Sequence, residues 1–155
     1  MYYTITSSPV GEILLLATDK GLSALIFQSG EAAMEVPKGA LHAPERFSEV
    51  IRQLTQYFSK TRTEFDLPLD PQGTAFQQQV WQTLIQVKYG QTQSYKWLAQ
   101  AIDNPKAVRA VGGANGKNPI ALIIPCHRII GSNGKLTGYA GGLTLKEKLL
   151  AHEQG

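Results

Sequence analysis

The 155 residues contain a single cysteine, Cys126, so no intramolecular disulfide can form. No Cys/His cluster has the spacing of a zinc site, and no metal is expected. Long apolar runs are missing too. The longest, residues 120–125, falls far short of the roughly 20 residues that a membrane-spanning helix needs. The opening Met1-Tyr-Tyr-Thr-Ile-Thr has no basic segment before an apolar core, so no signal peptide is expected. Charged residues are few, at 17%, while 43% of the chain is hydrophobic; this excludes a wholly disordered chain and a coiled coil. There are no repeats or low-complexity tracts. These absences point to a soluble cytoplasmic protein in a reducing compartment, with Cys126 available for chemistry. The length allows one domain or two very small ones.

What charge there is lies unevenly. Residues 1–87 hold six basic and nine acidic side chains, and residues 88–155 hold nine basic and three acidic. The overall +3 therefore joins an acidic first half to a basic second half. A basic half suggests a polyanionic partner, most often nucleic acid, although solvated surface charge would look the same.

The first 28 residues read as strands and turns: Tyr2–Thr6, a turn at Ser8-Pro9-Val10-Gly11, Ile13–Ala17, a turn at Asp19-Lys20-Gly21, then Leu22–Phe27. Residues 29–43 look like loop. Phe47, Val50, Ile51, Leu54, Tyr57 and Phe58 recur at helical spacing, predicting an amphipathic helix over 44–59. Residues 65–69 form a short strand, an edge at best because of Pro68. Pro71-Gln72-Gly73 is the best linker, which divides the chain into residues 1–72 and 73–155. Thr74 and Gln77 make a capping box for a helix whose apolar face is Phe76, Val80, Trp81, Leu84 and Ile85, ending at Gly90. The last helix begins with a second capping box, Thr144 and Glu147. The fold expected is α+β: a small N-terminal β-sheet-plus-helix domain followed by a mainly helical C-terminal domain containing a helix-turn-helix.

That helix-turn-helix consists of a helix after Ser94, a good N-cap, and a second over residues 106–114, introduced by Asn104-Pro105. The second helix places Lys106 and Arg109 one turn apart and contains Gly112-Gly113. Each helical glycine costs about 1 kcal/mol relative to alanine. Glycine is tolerated where another backbone must come close, whether a neighbouring helix or a phosphodiester chain.

An isolated cysteine in an apolar run is ordinarily a buried, inert thiol. The neighbours of Cys126 open a second reading. Pro125 fixes the chain just before the sulfur, and His127 and Arg128 are costly to bury without partners. An unperturbed thiol with a pKa near 8.5 is only about 3% thiolate at pH 7, and a nearby base or positive charge would raise that fraction. In an extended strand Cys126 and His127 would face opposite ways, so their contact needs a turn or a bridging water. His127 would also need an orienting acceptor. Glu153 is a candidate, since a negative charge near a helix C-terminus opposes the helix dipole and asks for a reason.

Pro125-Cys126-His127-Arg128, within residues 116–128, resembles the active-site segment of the O6-alkylguanine-DNA alkyltransferases, the methylated-DNA–protein-cysteine methyltransferases. The similarity runs from about residue 74 to 153 and includes Arg109-Ala-Val-Gly-Gly-Ala, Asn118-Pro119 and Gly138-Tyr-Ala-Gly-Gly. The resemblance implies direct DNA repair. The helix-turn-helix would bind duplex DNA through the minor groove, and the alkylated guanine would be flipped into a pocket. Cys126 would then take the alkyl group in one irreversible turnover, with no cofactor. By match to the family pattern, Arg109 fills the vacated stack. Tyr95 assists rotation and reaches the base's N3. Asn118 belongs to a hinge between recognition helix and active site. Glu153, His127 and a water deprotonate Cys126, and Tyr139 lines the pocket. Ala140 stands where the family often has Ser, with its backbone N–H still able to meet O6. Lys106, Gly112, Gly113, Asn115 and Arg128 are grouped with Arg109 and Tyr95 as DNA-binding residues. Some relatives hold zinc in the N-terminal part; this chain has only His42 there, so none is expected. A monomer is expected, with cooperative assembly on DNA and activity on O4-alkylthymine left open. A non-catalytic protein that binds alkylated DNA or regulates transcription is the alternative, since it would need Arg109 but no nucleophile. A cysteine hydrolase would need an oxyanion hole and a directly paired Cys–His, and neither is evident.

Overall fold

The computed structural model describes residues 1–29, 33–134, 136, 139 and 141–155. Three strands follow one another as an antiparallel meander: β1 (Tyr2–Thr6), β2 (Ile13–Ala17) and β3 (Leu22–Phe27). All five β2 side chains are buried, which explains its unbroken apolar run. Ile13, Leu15 and Ala17 enter the main core, while Leu14 and Leu16 meet Ala24, Tyr3, Ile26 and Val36 in a smaller cluster. The expected loop over 29–43 holds a short strand, β4 (Leu41–His42), parallel to β1, giving the order β3-β2-β1-β4. Two residues carry too little periodicity to announce a strand.

A 3₁₀ turn at Pro44–Phe47 leads into α1 (Ser48–Phe58), which buries Val50, Gln53, Leu54 and Tyr57. Buried Gln53 has a specific task. Its side chain donates to the Asp66 carbonyl at 2.9 Å and accepts from the Asp66 N–H at 2.9 Å. The segment expected as a strand at 65–69 is therefore held by a glutamine side chain, and pairs with the sheet only at Leu22 and Leu69. Gly21 permits that approach: a β-carbon there would lie 2.5 Å from the Pro68 carbonyl oxygen.

The Thr74–Gln77 capping box is present in full and opens α2 (Ala75–Leu84). This helix ends well before Gly90, in a turn in which the Gln86 and Val87 N–H groups reach back to Thr83 and Leu84. Ser94 caps α3 (Tyr95–Ala101) through the Trp97 N–H. The next helix, α4, spans Val108–Gly116, so it begins two residues later than expected. Asp103, at φ 58°, ends the previous turn. The Ala107 N–H then bonds the Asn104 carbonyl, so Pro105 and Lys106 lie in a turn instead of the first helical positions. The last helix, α5 (Leu143–Gln154), also departs from expectation. Gly142, at φ 95°, takes the N-cap position two residues before Thr144, so Thr144 is helical and makes no cap.

One continuous core joins residues of β1–β3 and α1 to residues of α2–α5. Two further links position the cysteine segment. The Leu25 N–H of β3 donates to the Pro119 carbonyl, and the Ala121 N–H donates to the Leu25 carbonyl. Two short strands, β5 (Gln93–Ser94) and β6 (Ile129–Ile130), pair in parallel, tying the start of α3 to the residues just after Arg128. No helix among the described residues is long and apolar enough to cross a membrane.

Candidate active site and nucleic-acid face

The approach to Cys126 is a series of tight turns, not an extended strand. The Ile123 N–H bonds the Ala121 carbonyl and the Cys126 N–H bonds the Ile124 carbonyl, each at 2.8 Å, with Leu122 at φ 72°. A non-glycine residue in that region stores about 1–3 kcal/mol of strain, which the surrounding contacts must hold. Asn118 supplies one such contact. It donates to the Ile124 carbonyl at 2.7 Å and accepts from the Ile120 N–H at 3.0 Å.

Cys126–Arg128 then form one turn of 3₁₀ helix. At three residues per turn, successive side chains diverge by about a third of a circle. This settles the alternation problem of an extended strand. Cys126 lines a cavity of about 210 Å³, shared with Asn115, Asn118, Pro119, Tyr139 and Gly141. His127 and Arg128 instead turn toward α5. Leu25, Ile26 and Phe27 of β3 complete the cavity wall, a contribution with no local signature in sequence.

The Glu153 carboxylate faces both His127 and Arg128. Its Oε2 lies 2.7 Å from His127 Nε2, and Arg128 grips both oxygens, Nε to Oε1 at 2.8 Å and Nη2 to Oε2 at 3.0 Å. Arg128 Nη1 donates to the Val87 carbonyl at 2.7 Å. The charge that opposed the helix dipole is thus neutralised by a buried guanidinium. Burial alone would raise the Glu153 pKa, but the hydrogen bonds and charges of His127 and Arg128 hold it well below the usual carboxylate range. Burial lowers the His127 pKa against the pull of Glu153, favouring the neutral ring. With Nε2 hydrogen-bonded to a carboxylate, the proton sits there and Nδ1 is left as the basic nitrogen. His127 Nδ1 is buried and has no hydrogen-bond partner among the described residues. Burial raises the Cys126 pKa, opposed by hydrogen bonding from Asn118 and the charge of Lys146. Unaided, this thiol stays protonated, so it needs a base in order to react.

Two buried residues extend the site beyond the sequence reading. Tyr57 of α1 donates to Glu153 Oε2 at 2.7 Å. Lys146, fully buried, donates to the Ile129 carbonyl at 2.6 Å. A trace of Lys146 was visible: with Leu149 and Glu153 it forms a stripe at i, i+3 and i+7, putting charges on the helix face that should be apolar. Tyr57 looked like any core aromatic.

The α3–α4 pair forms the other half of the site. Trp81 of α2 donates to the Ala114 carbonyl at 2.9 Å, fixing α4 from behind. The outer side presents Lys106, Val108, Arg109 and Gly113, all exposed, with Tyr95 half-buried beside Gly112. A β-carbon at Gly113 would meet nothing within 4 Å, so no neighbouring helix explains that glycine.

Two residues grouped with the DNA-binding set belong elsewhere. Arg128 is 6% exposed and spends its guanidinium on Glu153 and Val87, so it has no face for DNA. Asn115 is 3% exposed; it lies on the inner side of α4, in the cavity wall, with Nδ2 3.5 Å from the Cys126 carbonyl. Tyr139 lines the cavity, and Ala140 lies outside the described residues. No group of three or more metal-ligating side chains occurs among the described residues.

Known proteins match this arrangement along the whole chain. Residues 1–71 match the family described as 6-O-methylguanine DNA methyltransferase, ribonuclease-like domain, and residues 75–155 match its DNA binding domain. A methylated-DNA–protein-cysteine methyltransferase of Methanosarcina barkeri is 52% identical over 99% of this chain and 98% of its own. The protein of that name from Mycolicibacterium paratuberculosis is 45% identical over 98% of this chain and 92% of its own. The solved structure of Mycobacterium tuberculosis OGT in complex with DNA superposes with a TM-score of 0.92 at 44% identity, covering 99% of this chain and 93% of that one. With both halves matched and identity near one half over nearly every residue, this chain belongs to the methylated-DNA–protein-cysteine methyltransferase family.

Proposed function

We propose that this chain repairs DNA directly, by one irreversible transfer of the alkyl group of O6-alkylguanine in duplex DNA to the sulfur of Cys126. The observation that carries the reading is a cysteine lining a cavity, with a buried His127–Glu153 hydrogen bond beside it whose carboxylate is balanced by Arg128. The duplex lies along the outer face of α4, with Lys106 near phosphates and Gly112-Gly113 allowing close approach. The damaged guanine rotates into the cavity at a cost of a few kcal/mol, less for a poorly paired base. Arg109 fills the gap, Tyr95 guides the rotation, and Tyr139 with the backbone at Ala140 receives the base. Asn118 holds the hinge between α4 and the cysteine turn.

The thiol proton passes through a water to His127 Nδ1, while the other ring proton stays on Nε2, hydrogen-bonded to the ionised Glu153. The sulfur bonds to the alkyl carbon as the carbon–O6 bond breaks. Guanine leaves, takes up a proton and regains its keto form. The product is a thioether with no route back to the thiol, so each molecule reacts once, without a cofactor. Residues 73–155 carry the chemistry and residues 1–72 form the supporting domain of a cytoplasmic monomer.

Intact-protein mass spectrometry after incubation with duplex containing one O6-methylguanine tests this. The expected gain is about 14 Da, one methylene, mapped to Cys126 and saturating at one per molecule. Cys126→Ala should show no gain while still binding the duplex. Tight binding by the unaltered protein with no mass change would favour a non-catalytic lesion-binding protein.

A further inference from the structure

Four hydrogen bonds converge on the Glu153 carboxylate, and one of them comes from the far half of the chain. Oε1 accepts from Arg128 Nε; Oε2 accepts from Arg128 Nη2, His127 Nε2 and the Tyr57 hydroxyl, the last at 2.7 Å. Tyr57 belongs to α1 and is completely buried, with its ring against Phe58, Phe65, Tyr89 and His152. The ring has no room to swing, so the hydroxyl stays aimed at the carboxylate. Burial and the Glu153 charge push the phenol well above its ordinary range, which makes it a permanent neutral donor.

We propose that Tyr57 is a positioning residue for the transfer reaction: by donating to the oxygen that His127 also uses, it limits how strong a base the His127 imidazole becomes. This inference rests on the proposed relay from Cys126 through His127. The physical argument concerns sharing. Each donor on Oε2 draws on the same negative charge, and the charge left for His127 decides how well an imidazolium is stabilised. Removing the Tyr57 hydroxyl concentrates the carboxylate on His127 and raises its proton affinity. Arg128, anchored on both oxygens and on the Val87 carbonyl, keeps the carboxylate in place, so strength changes and geometry does not. The other groups facing this cluster are unaltered: Lys146 of α5, Cys126 and Arg128 of the 3₁₀ turn, Tyr139 at the cavity and Tyr89 beside Arg128.

The test uses the full chain in three forms: unaltered, Tyr57→Phe, and with 3-fluorotyrosine at position 57. The fluorinated phenol keeps every contact and donates more strongly, so it decides the matter even if the phenylalanine variant folds poorly. ¹⁵N NMR of labelled histidine follows the His127 ring, with His42→Gln to aid assignment. The His127 midpoint should rise by about half a pH unit or more in Tyr57→Phe and fall with fluorotyrosine. The acid limb of benzyl transfer from free O6-benzylguanine to Cys126 should move the same way. Coincident His127 titrations in all three proteins would overturn the proposal, as would a shifted titration with an unmoved transfer profile. If the unaltered protein transfers nothing, the relay falls and Tyr57's part in it falls too. The NMR titrations would still separate that failure from a tyrosine with no influence on His127.

Discussion

Arg109 and Arg128 lie in the same basic half of the chain and have opposite fates. Arg128 is buried, held on two oxygens of Glu153 and on the Val87 carbonyl. Arg109 is exposed on α4 and has no partner among the described residues. A charge count treats them alike, yet only one is available to a polyanion. Lys146, fully buried, is likewise withdrawn from the surface. The positive half therefore has two layers: an inner one that balances a buried carboxylate and faces the cysteine, and an outer one on and beside α4 at Lys106, Arg109 and Lys117. The outer layer serves long-range attraction, which salt screens; the inner layer is shielded from solvent and answers mainly to pH.

The comparison breaks most visibly in stability. Arg128→Ala strands the Glu153 carboxylate in the interior, and losing one member of a buried pair costs about 3–5 kcal/mol. Arg109→Ala removes an exposed side chain and should change stability by no more than about 0.5 kcal/mol. Urea unfolding of the two variants side by side checks this. Similar losses would mean that Arg109 has a structural partner.

Acid separates the layers next. The folded protein holds His127 below its ordinary value near 6.5 and Glu153 below 4.5, so in both cases the unfolded chain binds protons more readily. The stability from each is complete above its unfolded value and is lost as pH falls toward the folded one. Stability should thus be highest above about pH 6.5, decline as the unfolded histidine charges, and decline further below about 4.5. His127→Gln should flatten the first of these declines. Arg109→Ala should reproduce the full curve. Unfolding measured from pH 7.5 to 4 would show both, and an unchanged slope in His127→Gln would refute the buried neutral ring.

How much of this was legible in the sequence follows from the range of each contact. The three meander strands, the α1 stripe, the Thr74–Gln77 box and the Ser94 cap are written in adjacent residues, and the structure has them. Glu153 drew notice because it broke a local rule, and that rule suggested His127 as its partner but neither Arg128 nor Tyr57. Arg128 was misplaced because its direction depends on the 3₁₀ turn. Without that turn, a cation beside a candidate nucleophile reads as a contact for DNA. Asn115 was misplaced because α4 is small on both sides, which blurs its inner face. Tyr57 and the β3 wall of the cavity act across 96 and about 100 residues respectively, where periodicity carries no information.

In repair kinetics the expected contrast is narrower. Arg109→Ala should slow repair in duplex DNA more than reaction with free O6-benzylguanine, because only the duplex leaves a gap to fill. Rates on the two substrates, measured at equal protein concentration, give the ratio directly. Equal slowing would instead point to a structural role for Arg109.

The smallest effect expected has the most telling sign. Gly113 is helical and exposed, and a β-carbon there would meet nothing within 4 Å. Gly113→Ala should therefore stabilise the free protein, by up to about 1 kcal/mol, through helix propensity alone. If the glycine exists so that a phosphodiester backbone can come close, the same methyl group should weaken duplex binding while leaving the reaction with free O6-benzylguanine intact. Thermal unfolding and duplex titration of one variant then move in opposite directions. A variant that gains stability and binds duplex as tightly as before would show that α4 keeps its distance from the backbone at this point. The closest approach would then have to be sought nearer Gly112 and Tyr95, where a β-carbon already meets the tyrosine ring at 3.7 Å.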